Sequence, residues 1–422
     1  MKRFVFLLST LSVLCPLLAL SQAIGPQIKV HEQVLYGLGE DLNGGYPQSS
    51  VVVDPQGNVY GTADLAGANG AGTVYELTPQ AGEWAITVLF TFDQNSGGNP
   101  LTGMLLDPAG NLYGTTSDGG PIGDGSIFTL THSPSGWTYQ DIHDFAGNPD
   151  GGFPSGNMIF GHGNVIYGTT SGGGTGTGCQ FGCGTVFQLT RSQQGAWTET
   201  VLYSFQGGAD GSAPLGHMAI DKGGNLYGVT AVGGTGNCQN GCGTVFRLHP
   251  TNQGTWQKKT LLSFPGLQSG WWPVGGVAFD PSGNLYGVTS LGGDTSCNPP
   301  NGCGTVFSID PSGKASVLHA FTHDGKDGML PQAGVIAGPG GLIYGTTAEG
   351  GSGTNCEFGC GTIFAVDAAG HETILYSFLA QFAGPDGAQP EAPLFWDHAG
   401  HLFGTTFAGG TRFAGTVFAL SK

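Results

Sequence analysis

Seven loops of similar sequence contain the residues best placed to bind a ligand, because each leads into a proline at a fixed spacing. Four of these loops read Asp-Gly-x-x-Pro and begin at Asp150, Asp210, Asp327 and Asp386. The other three carry Asn43, Ser96 and Ser269 at the same place. Carboxylates gathered around one opening would repel each other and favour a cation such as calcium, which prefers oxygen ligands. The alternative is that Asp-Gly serves only to form the turn.

Aromatic side chains stand in three of these loops. Trp271 and Trp272 occupy the fifth loop, Tyr46 the first and Phe153 the third. Aromatic rings offer a large apolar face, which could stack on sugars or could wedge between neighbouring repeats. His217 follows the fourth loop and could face a central opening, although a lone histidine is weak evidence for a site.

Sequence motifs of common enzymes are missing. There is no Gly-x-Ser-x-Gly elbow to expose a nucleophilic serine, and no His-Glu-x-x-His pair to bind zinc on a helix. His143 and His319 replace a tyrosine found in other repeats, so we expect them to be structural. A carboxylate pair acting as in glycosidases stays open, because separation in space is not visible in a sequence. We therefore predict no catalytic residue.

A tandem repeat sets the positions of all these residues. Variants of Gly-Asn-Leu-Tyr-Gly-Thr-Thr recur every 53 to 60 residues. The aromatic residues of the seven copies are Tyr60, Tyr113, Tyr167, Tyr227, Tyr286, Tyr344 and Phe403. The prolines that precede them by 13 places are Pro47, Pro100, Pro154, Pro214, Pro273, Pro331 and Pro390. Gly makes up 80 of the 422 residues, and its recurrence at fixed places of the repeat indicates turns rather than disorder.

The segments between these turns predict the fold. Each repeat has four short apolar, β-branched or aromatic runs, which predicts four strands and almost no helix. Seven such units predict an all-β, seven-bladed β-propeller, with a β-solenoid as the alternative. The last repeat ends after its third strand, and a segment of the fourth-strand type stands at 34–38. We therefore predict that a strand at about residues 30–38 closes the ring, within one domain of residues 24–422.

Eight cysteines form four closely spaced pairs in the loops of repeats three to six. The pairs are Cys179 with Cys183, Cys238 with Cys242, Cys297 with Cys303, and Cys356 with Cys360. The repeats without these cysteines also have a shorter loop, so each pair is predicted to close its own loop as a disulfide. Zinc bound between neighbouring pairs is the alternative, but it suits a reducing compartment better.

The charge balance and the N-terminus indicate an exported, acidic protein. Twelve Lys and Arg against 29 Asp and Glu give a net charge of −17, which disfavours nucleic acid and anionic membranes as partners. Residues 1–23 combine a basic start, an apolar run and a small-residue cleavage site, which predicts a signal peptide. We expect a secreted or periplasmic monomer without a membrane span after cleavage.

The repeat resembles that of the bacterial GloVer tandem-repeat family, exported proteins also called choice-of-anchor proteins. Gly-Asn-Leu-Tyr-Gly-Thr-Thr at 110–116 and Gly-Cys-Gly-Thr-Val-Phe at 182–187 carry the resemblance. It implies export and a repeat architecture, but no activity. From the residues we predict a non-catalytic scaffold that binds a glycan or an extracellular protein on the loop-rich face, with no cofactor unless calcium binds the acidic loops. A polysaccharide hydrolase or lyase and a structural cell-envelope protein are the alternatives.

Overall fold

Short antiparallel sheets build the chain. The computed structural model describes residues 30–93, 95–163, 165–379, 386–397 and 399–421, so the predicted signal peptide lies outside the described residues. Seven sheets, each with four principal strands, follow one another and close into a ring. The predicted all-β, seven-bladed β-propeller is confirmed, and an open solenoid is excluded because the last sheet pairs with the N-terminal strand.

The strands of each blade run in sequence from the innermost to the outermost. Blade 1 contains Val52–Val53, Val59–Ala63, Thr73–Gln80 and Glu83–Thr91. Blade 2 contains Leu105–Leu106, Leu112–Thr116, Ser126–Ser133 and Gly136–Asp144. Blade 3 contains a divided inner strand, Gly152–Pro154 and Ile159–Phe160, then Val165–Gly172, Thr185–Arg191 and Trp197–Ser204.

The remaining blades repeat this order. Blade 4 contains Ser212–Ile220, Leu226–Val232, Thr244–Pro250 and Trp256–Ser263. Blade 5 contains Val277–Phe279, Leu285–Thr289, Thr305–Ile309 and Ala315–Ala320. Blade 6 contains Ile336–Ala337, Ile343–Thr347, Thr362–Val366 and Glu372–Ser377, with an additional pair, Gly328–Met329 and Glu349–Gly350.

Blade 7 shows how the ring closes. Its own segments are Phe395–Trp396, Leu402–Thr406 and Phe413–Ser421, with an additional pair, Gly387–Ala388 and Ala408–Gly409. The N-terminal strand His31–Gly39 pairs antiparallel with Phe413–Ser421 and supplies the missing fourth strand. The predicted closure is therefore confirmed.

Helices are few in the part of the chain that the structure describes. They are three single 3-10 turns, Gly208–Asp210, Leu267–Ser269 and Pro339–Gly341. None of the described helices has the length and apolar character needed to cross a membrane.

Within each blade, a glycine lies beneath an aromatic ring. The glycine after the repeat aromatic pairs across the sheet with an aromatic residue of the third strand, as Gly168 does with Phe187. A Cβ on Gly168 would lie 2.2 Å from Cζ of that ring, which leaves no space for a side chain. The seven pairs are Gly61–Tyr75, Gly114–Phe128, Gly168–Phe187, Gly228–Phe246, Gly287–Phe307, Gly345–Phe364 and Gly404–Phe418. The repeated glycine thus makes room for a fully buried ring.

Between blades, a second glycine packs on the repeat proline. The glycine that begins the third-strand motif has positive φ, and a Cβ there would meet the proline Cδ of the next blade, at 2.5 Å for Gly184 and Pro214. The seven contacts are Gly72–Pro100, Gly125–Pro154, Gly184–Pro214, Gly243–Pro273, Gly304–Pro331, Gly361–Pro390 and Gly415–Pro47. The last of these joins blade 7 to blade 1 and completes the ring.

All four predicted cysteine pairs are disulfides. The second cysteine of each pair is fully buried and belongs to the core that its blade shares with the next blade. Cys183, for example, shares a hydrophobic cluster with Phe205 at the end of the outer strand. Each bridge therefore fixes a surface loop to the core beneath it.

Gly168→Ala should destabilise the propeller by about 2 kcal/mol, because the added methyl group overpacks Phe187 in a filled core. Urea unfolding of the mature chain measures the change in unfolding free energy. A Phe187→Leu change in the same chain should recover part of the loss, since the smaller side chain vacates the space. A double variant whose loss of unfolding free energy equals the sum of the two single losses would contradict the proposed contact.

Candidate functional site

The residue before each repeat proline has an unusual backbone conformation. All seven have φ between 49° and 60°, although none is glycine. Bulky residues rarely adopt this left-handed region, and a following proline disfavours helical backbone further. We call these residues the pre-proline ring: Tyr46, Asn99, Phe153, Ala213, Trp272, Leu330 and Gln389.

Hydrogen bonds to neighbouring backbone explain this conformation. The Trp272 amide donates to the Cys242 carbonyl of the preceding blade at 3.2 Å, and its carbonyl accepts from the Ser290 amide at 3.1 Å. Every member of the ring donates an equivalent bond to the preceding blade, including Tyr46 to the Ala414 carbonyl at 2.7 Å. The backbone is thus fixed by its partners, whereas the side chain is at least partly exposed at all seven places.

The pre-proline ring displays uncharged side chains. Trp272 and Phe153 are 43% and 39% exposed. Tyr46 packs on Phe407 with 5.2 Å between ring centroids, and its hydroxyl donates to the Glu40 carboxylate. The other predicted tryptophan, Trp271, is more buried and donates from Nε1 to the Asn301 carbonyl at 3.2 Å. The sequence thus identified three ring members, Tyr46, Phe153 and Trp272, as candidate binding residues.

The disulfide loops share a face with the pre-proline ring. The loops before the prolines contact the loops between the second and third strands, as in the bond from the Gly174 amide to the Gly147 carbonyl at 3.0 Å. Phe181, inside the first disulfide loop, is 72% exposed. A cleft of about 700 Å³ opens on this face beside Tyr46 and is lined by Leu42 and Leu65. This face therefore offers both exposed aromatic surface and a concave surface.

The four predicted aspartates lie outside the pre-proline ring, at the interfaces between blades. Asp210 accepts hydrogen bonds from the Tyr203 hydroxyl at 2.9 Å and the Gln206 amide at 2.8 Å. Asp386 accepts in the same way from Tyr376 and the Leu379 amide. Asp150 and Asp327 face His143 and His319 instead. Asn43, at the equivalent place, donates to Tyr36 at 3.4 Å.

Each aspartate is held by hydrogen-bond partners at its own blade interface. Among the described residues, no two of them share a group of three potential metal ligands. Each instead ties the end of one outer strand to the loop that enters the next blade. A calcium ion held by all four aspartates stays a prediction.

The side chain of His217 reaches across the axis of the propeller to a blade that is not its neighbour. A Cβ on Gly334, two blades away, would fall 2.1 Å from Cε1 of its ring. Burial lowers the pKa of His217 to about 4, so the imidazole is neutral at pH 7. Asn157 plays a similar part, because it accepts from the Gly103 amide at 2.7 Å and donates to Ser50 at 2.9 Å. Contacts between non-adjacent blades such as these narrow the central channel.

Two carboxylate pairs that the sequence did not single out lie nearer to the ring. Burial, with the nearby charge of Asp118, raises the pKa of Asp64 to about 7. Burial, with the charge of Glu349, raises the pKa of Glu391 to about 7 as well. Glu391 directly follows a repeat proline, and Asp64 follows the second strand of blade 1. Only their places within the repeat could have indicated them, since no other repeat has an acid there.

The comparisons with known proteins agree with this architecture. The sequence profile described as the Gloeobacter/Verrucomicrobia repeat matches residues 27–181, 175–357 and 295–422, which confirms the resemblance seen in the repeat. No curated protein matches the chain.

The chain is also similar to several solved structures. A Bacteroides uniformis protein named for 6-phosphogluconolactonase is 12% identical, with a TM-score of 0.50 over 78% of this chain and 84% of its own. A Thermus thermophilus protein named for glucose dehydrogenase is 16% identical, with a TM-score of 0.44 over 76% of this chain and 94% of its own. A luciferin-regenerating enzyme is 13% identical, with a TM-score of 0.46 over 76% of this chain and 90% of its own. At these identities the likeness concerns the fold alone.

Glu32 belongs to the closing strand, and Glu32→Gln should make the unfolding free energy depend less on pH. Burial raises the pKa of Glu32 to about 7, and the carboxylate of Asp386 adds to the shift. The folded state therefore holds this proton more tightly than the unfolded state, whose glutamate titrates near pH 4.5. Stability falls as the pH rises from about 4.5 to 7, and the loss is complete above that range.

Urea unfolding at pH 5 and pH 8 measures this effect. The variant should exceed the wild type in stability at pH 8, and the difference should shrink at pH 5. Glu83→Gln, at an exposed strand end, is the matched control and should change neither value. An equal gain at both pH values would contradict the assigned proton.

Proposed function

The chain belongs to the Gloeobacter/Verrucomicrobia repeat family, and on that premise we propose that it is an exported, non-catalytic protein that binds a neutral glycan on the pre-proline ring. One observation carries the proposal: seven backbone positions are held in one strained conformation, while their side chains differ in every blade. Strained backbone persists where surrounding structure enforces it, and such positions cluster at functional sites. A fixed frame with variable side chains is what a recognition surface needs.

The chemistry of the ring favours an uncharged ligand. Tyr46, Phe153 and Trp272 offer flat apolar faces for the C–H surfaces of sugar rings. Asn99 and Gln389 offer amide groups that can exchange hydrogen bonds with sugar hydroxyls. The net charge of −17 opposes anionic polymers, so a neutral polysaccharide fits better than an acidic one.

Export is supported by the disulfides and by the predicted signal peptide. Four disulfides persist best in an oxidising compartment. Only 10% of residues are charged, so the surface relies on Gly, Ser, Thr and Asn rather than on charge. Such a surface is consistent with binding outside the cytoplasm.

A polysaccharide hydrolase is the second candidate, and the Asp64–Asp118 pair favours it. A buried carboxyl with a pKa near 7 beside a second carboxylate resembles the acid and base of glycosidases. Against this assignment, the carboxylate of Asp118 already accepts a hydrogen bond from the side-chain amide of Asn99 at 2.7 Å. A structural role in the cell envelope without any ligand is the remaining alternative.

Trp272→Ala and Phe153→Ala should each weaken glycan binding about tenfold or more, because each removes an exposed aromatic face worth at least about 1.4 kcal/mol. The mature chain is first screened on a glycan array, and the best neutral ligand is then titrated by calorimetry. Phe160→Ala is the matched control, since Phe160 is 40% exposed but lies at the opposite end of the inner strand of blade 3. Equal losses in all three variants, or no glycan bound at all, would overturn the proposal.

Asp64→Asn should leave binding intact, and neither it nor the wild type should release reducing sugar ends from the bound polysaccharide. The measurement is a reducing-end assay over the range pH 5 to 8, which brackets the pKa of Asp64. Asp324→Asn, in an exposed loop, is the control. Turnover by the wild type that Asp64→Asn lowers about a hundredfold would instead establish the hydrolase.

A further inference from the structure

The interfaces between blades contain a repeated group of three side chains. One comes from the outer strand of a blade, one from the loop before the proline, and one from the outer strand of the next blade. Four of these groups contain charged residues: His143–Asp150–Glu199, Tyr203–Asp210–Lys258, His319–Asp327–Glu372 and Tyr376–Asp386–Glu32. The loop residue is the predicted aspartate in every case.

The group between blades 5 and 6 brings three potential metal ligands together. His319 Nε2 lies 3.2 Å from Asp327 Oδ2 and 3.7 Å from Glu372 Oε2. The Thr322 amide donates to Asp327 Oδ2 at 2.8 Å, and the Gly328 amide donates to its Oδ1 at 2.7 Å. These bonds hold the aspartate in a fixed orientation between the two other side chains.

The group between blades 2 and 3 has the same composition and the same arrangement. His143 Nε2 lies 3.0 Å from Asp150 Oδ2, and the ligand atoms of His143, Asp150 and Glu199 all lie within 4.8 Å of one another. A cleft of about 360 Å³ is lined by both Asp150 and Glu199, which gives solvent a path to the carboxylates.

Buried carboxylate oxygens without partners occur in both of these groups, as they also do at Glu32 Oε1 in the group between blades 6 and 7. The Glu372 side chain is only 10% exposed, and its Oε1 has no hydrogen-bond partner among the described residues. Asp150 Oδ1 and Glu199 Oε1 are buried without a partner in the same way. A buried polar atom without a partner is costly, so these oxygens call for a ligand that they can bind.

A third interface shows what kind of ligand fits. Between blades 3 and 4, the ammonium group of Lys258 takes the place of the glutamate and lies 2.8 Å from Asp210 Oδ1. Its side chain is 4% exposed, so the interface accommodates a buried positive charge. The two groups with histidine have no lysine or arginine among their own three side chains.

We propose that His319–Asp327–Glu372 and His143–Asp150–Glu199 each bind a zinc ion that links two neighbouring blades. One imidazole nitrogen and two carboxylate oxygens form a donor set that zinc accepts, with a water as the fourth ligand. Tetrahedral ligands at about 2.0–2.1 Å from zinc stand about 3.4 Å apart. The distances of 3.2 and 3.7 Å around His319 need little adjustment to reach this value.

Calorimetric titration of the mature chain with ZnCl2 at pH 7.5 tests the proposal. We expect two ions per chain for the wild type, one for Glu372→Gln, and none at comparable affinity for Glu199→Gln combined with Glu372→Gln. His319→Gln should also remove one ion, so the result does not depend on one variant. The wild type should gain on the order of 5 °C in melting temperature at a hundredfold excess over the dissociation constant.

Two further variants separate these sites from surface binding. His371 and His401 form exposed pairs with Asp367 and Asp397, so His371→Gln combined with His401→Gln is the control and should keep both ions. Tyr203→His combined with Lys258→Glu should build the same donor set between blades 3 and 4 and raise the count to three. No zinc binding by the wild type, or binding unchanged by the double glutamine variant, would overturn the proposal.

Discussion

The contact between a glycine of one blade and the proline of the next is the constraint on which the rest of the structure depends. At each of the seven interfaces the glycine has no room for a side chain, as Gly184 has none beside Pro214. A backbone hydrogen bond from the pre-proline residue crosses the same interface. Because these contacts involve backbone and one rigid ring, they require the same geometry in every blade. Proline and glycine therefore recur, and the left-handed conformation before the proline follows from them, with a strain of about 1–3 kcal/mol per residue that the interface offsets.

This constraint separates two classes of side chain. At the pre-proline positions the backbone makes the repeated contact between blades, although the Tyr46 side chain also packs on Phe407 of blade 7, so Trp272 in one blade can correspond to Ala213 in another. The side chains at the outer interfaces do hold blades together, and their types differ from one interface to the next. Tyr203 and Asp210 occur with Lys258, whereas His319 and Asp327 occur with Glu372. With 12 Lys and Arg against 29 Asp and Glu, the chain has few side-chain cations to place between blades. A bound metal ion or a retained proton fulfils the same electrostatic requirement.

The sequence predicted the fold well because its constraints are local and repeat seven times. Gly168, next to Tyr167 and following Pro154 at a fixed distance, indicates its role even without its partner Phe187. The candidate site was less predictable. The sequence places Asp150 and Phe153 in one short loop that enters the innermost strand, but it does not show how far inward each of the two side chains lies. The aspartate thus stays at the blade interface, while the aromatic residue reaches the face. Glu199 and Glu372 escaped notice because each belongs to the outer strand of the following blade, far along the chain from its histidine.

The distribution of charge connects these observations to the proposed ligand. The net charge of −17 counts every carboxyl as ionised, yet several carboxyls on the loop-rich face are buried. Burial raises the pKa of Asp64 and of Glu391 to about 7, so both carboxyls retain a proton to a higher pH than exposed acids do. The ring itself has no charged member. The face is therefore closer to neutral than the composition suggests, and a ligand would meet exposed aromatic residues there as well as acids such as Glu40. A protein that bound a cationic partner would gain from ionised carboxylates at this place, whereas one that binds a neutral sugar gains from keeping them protonated or engaged.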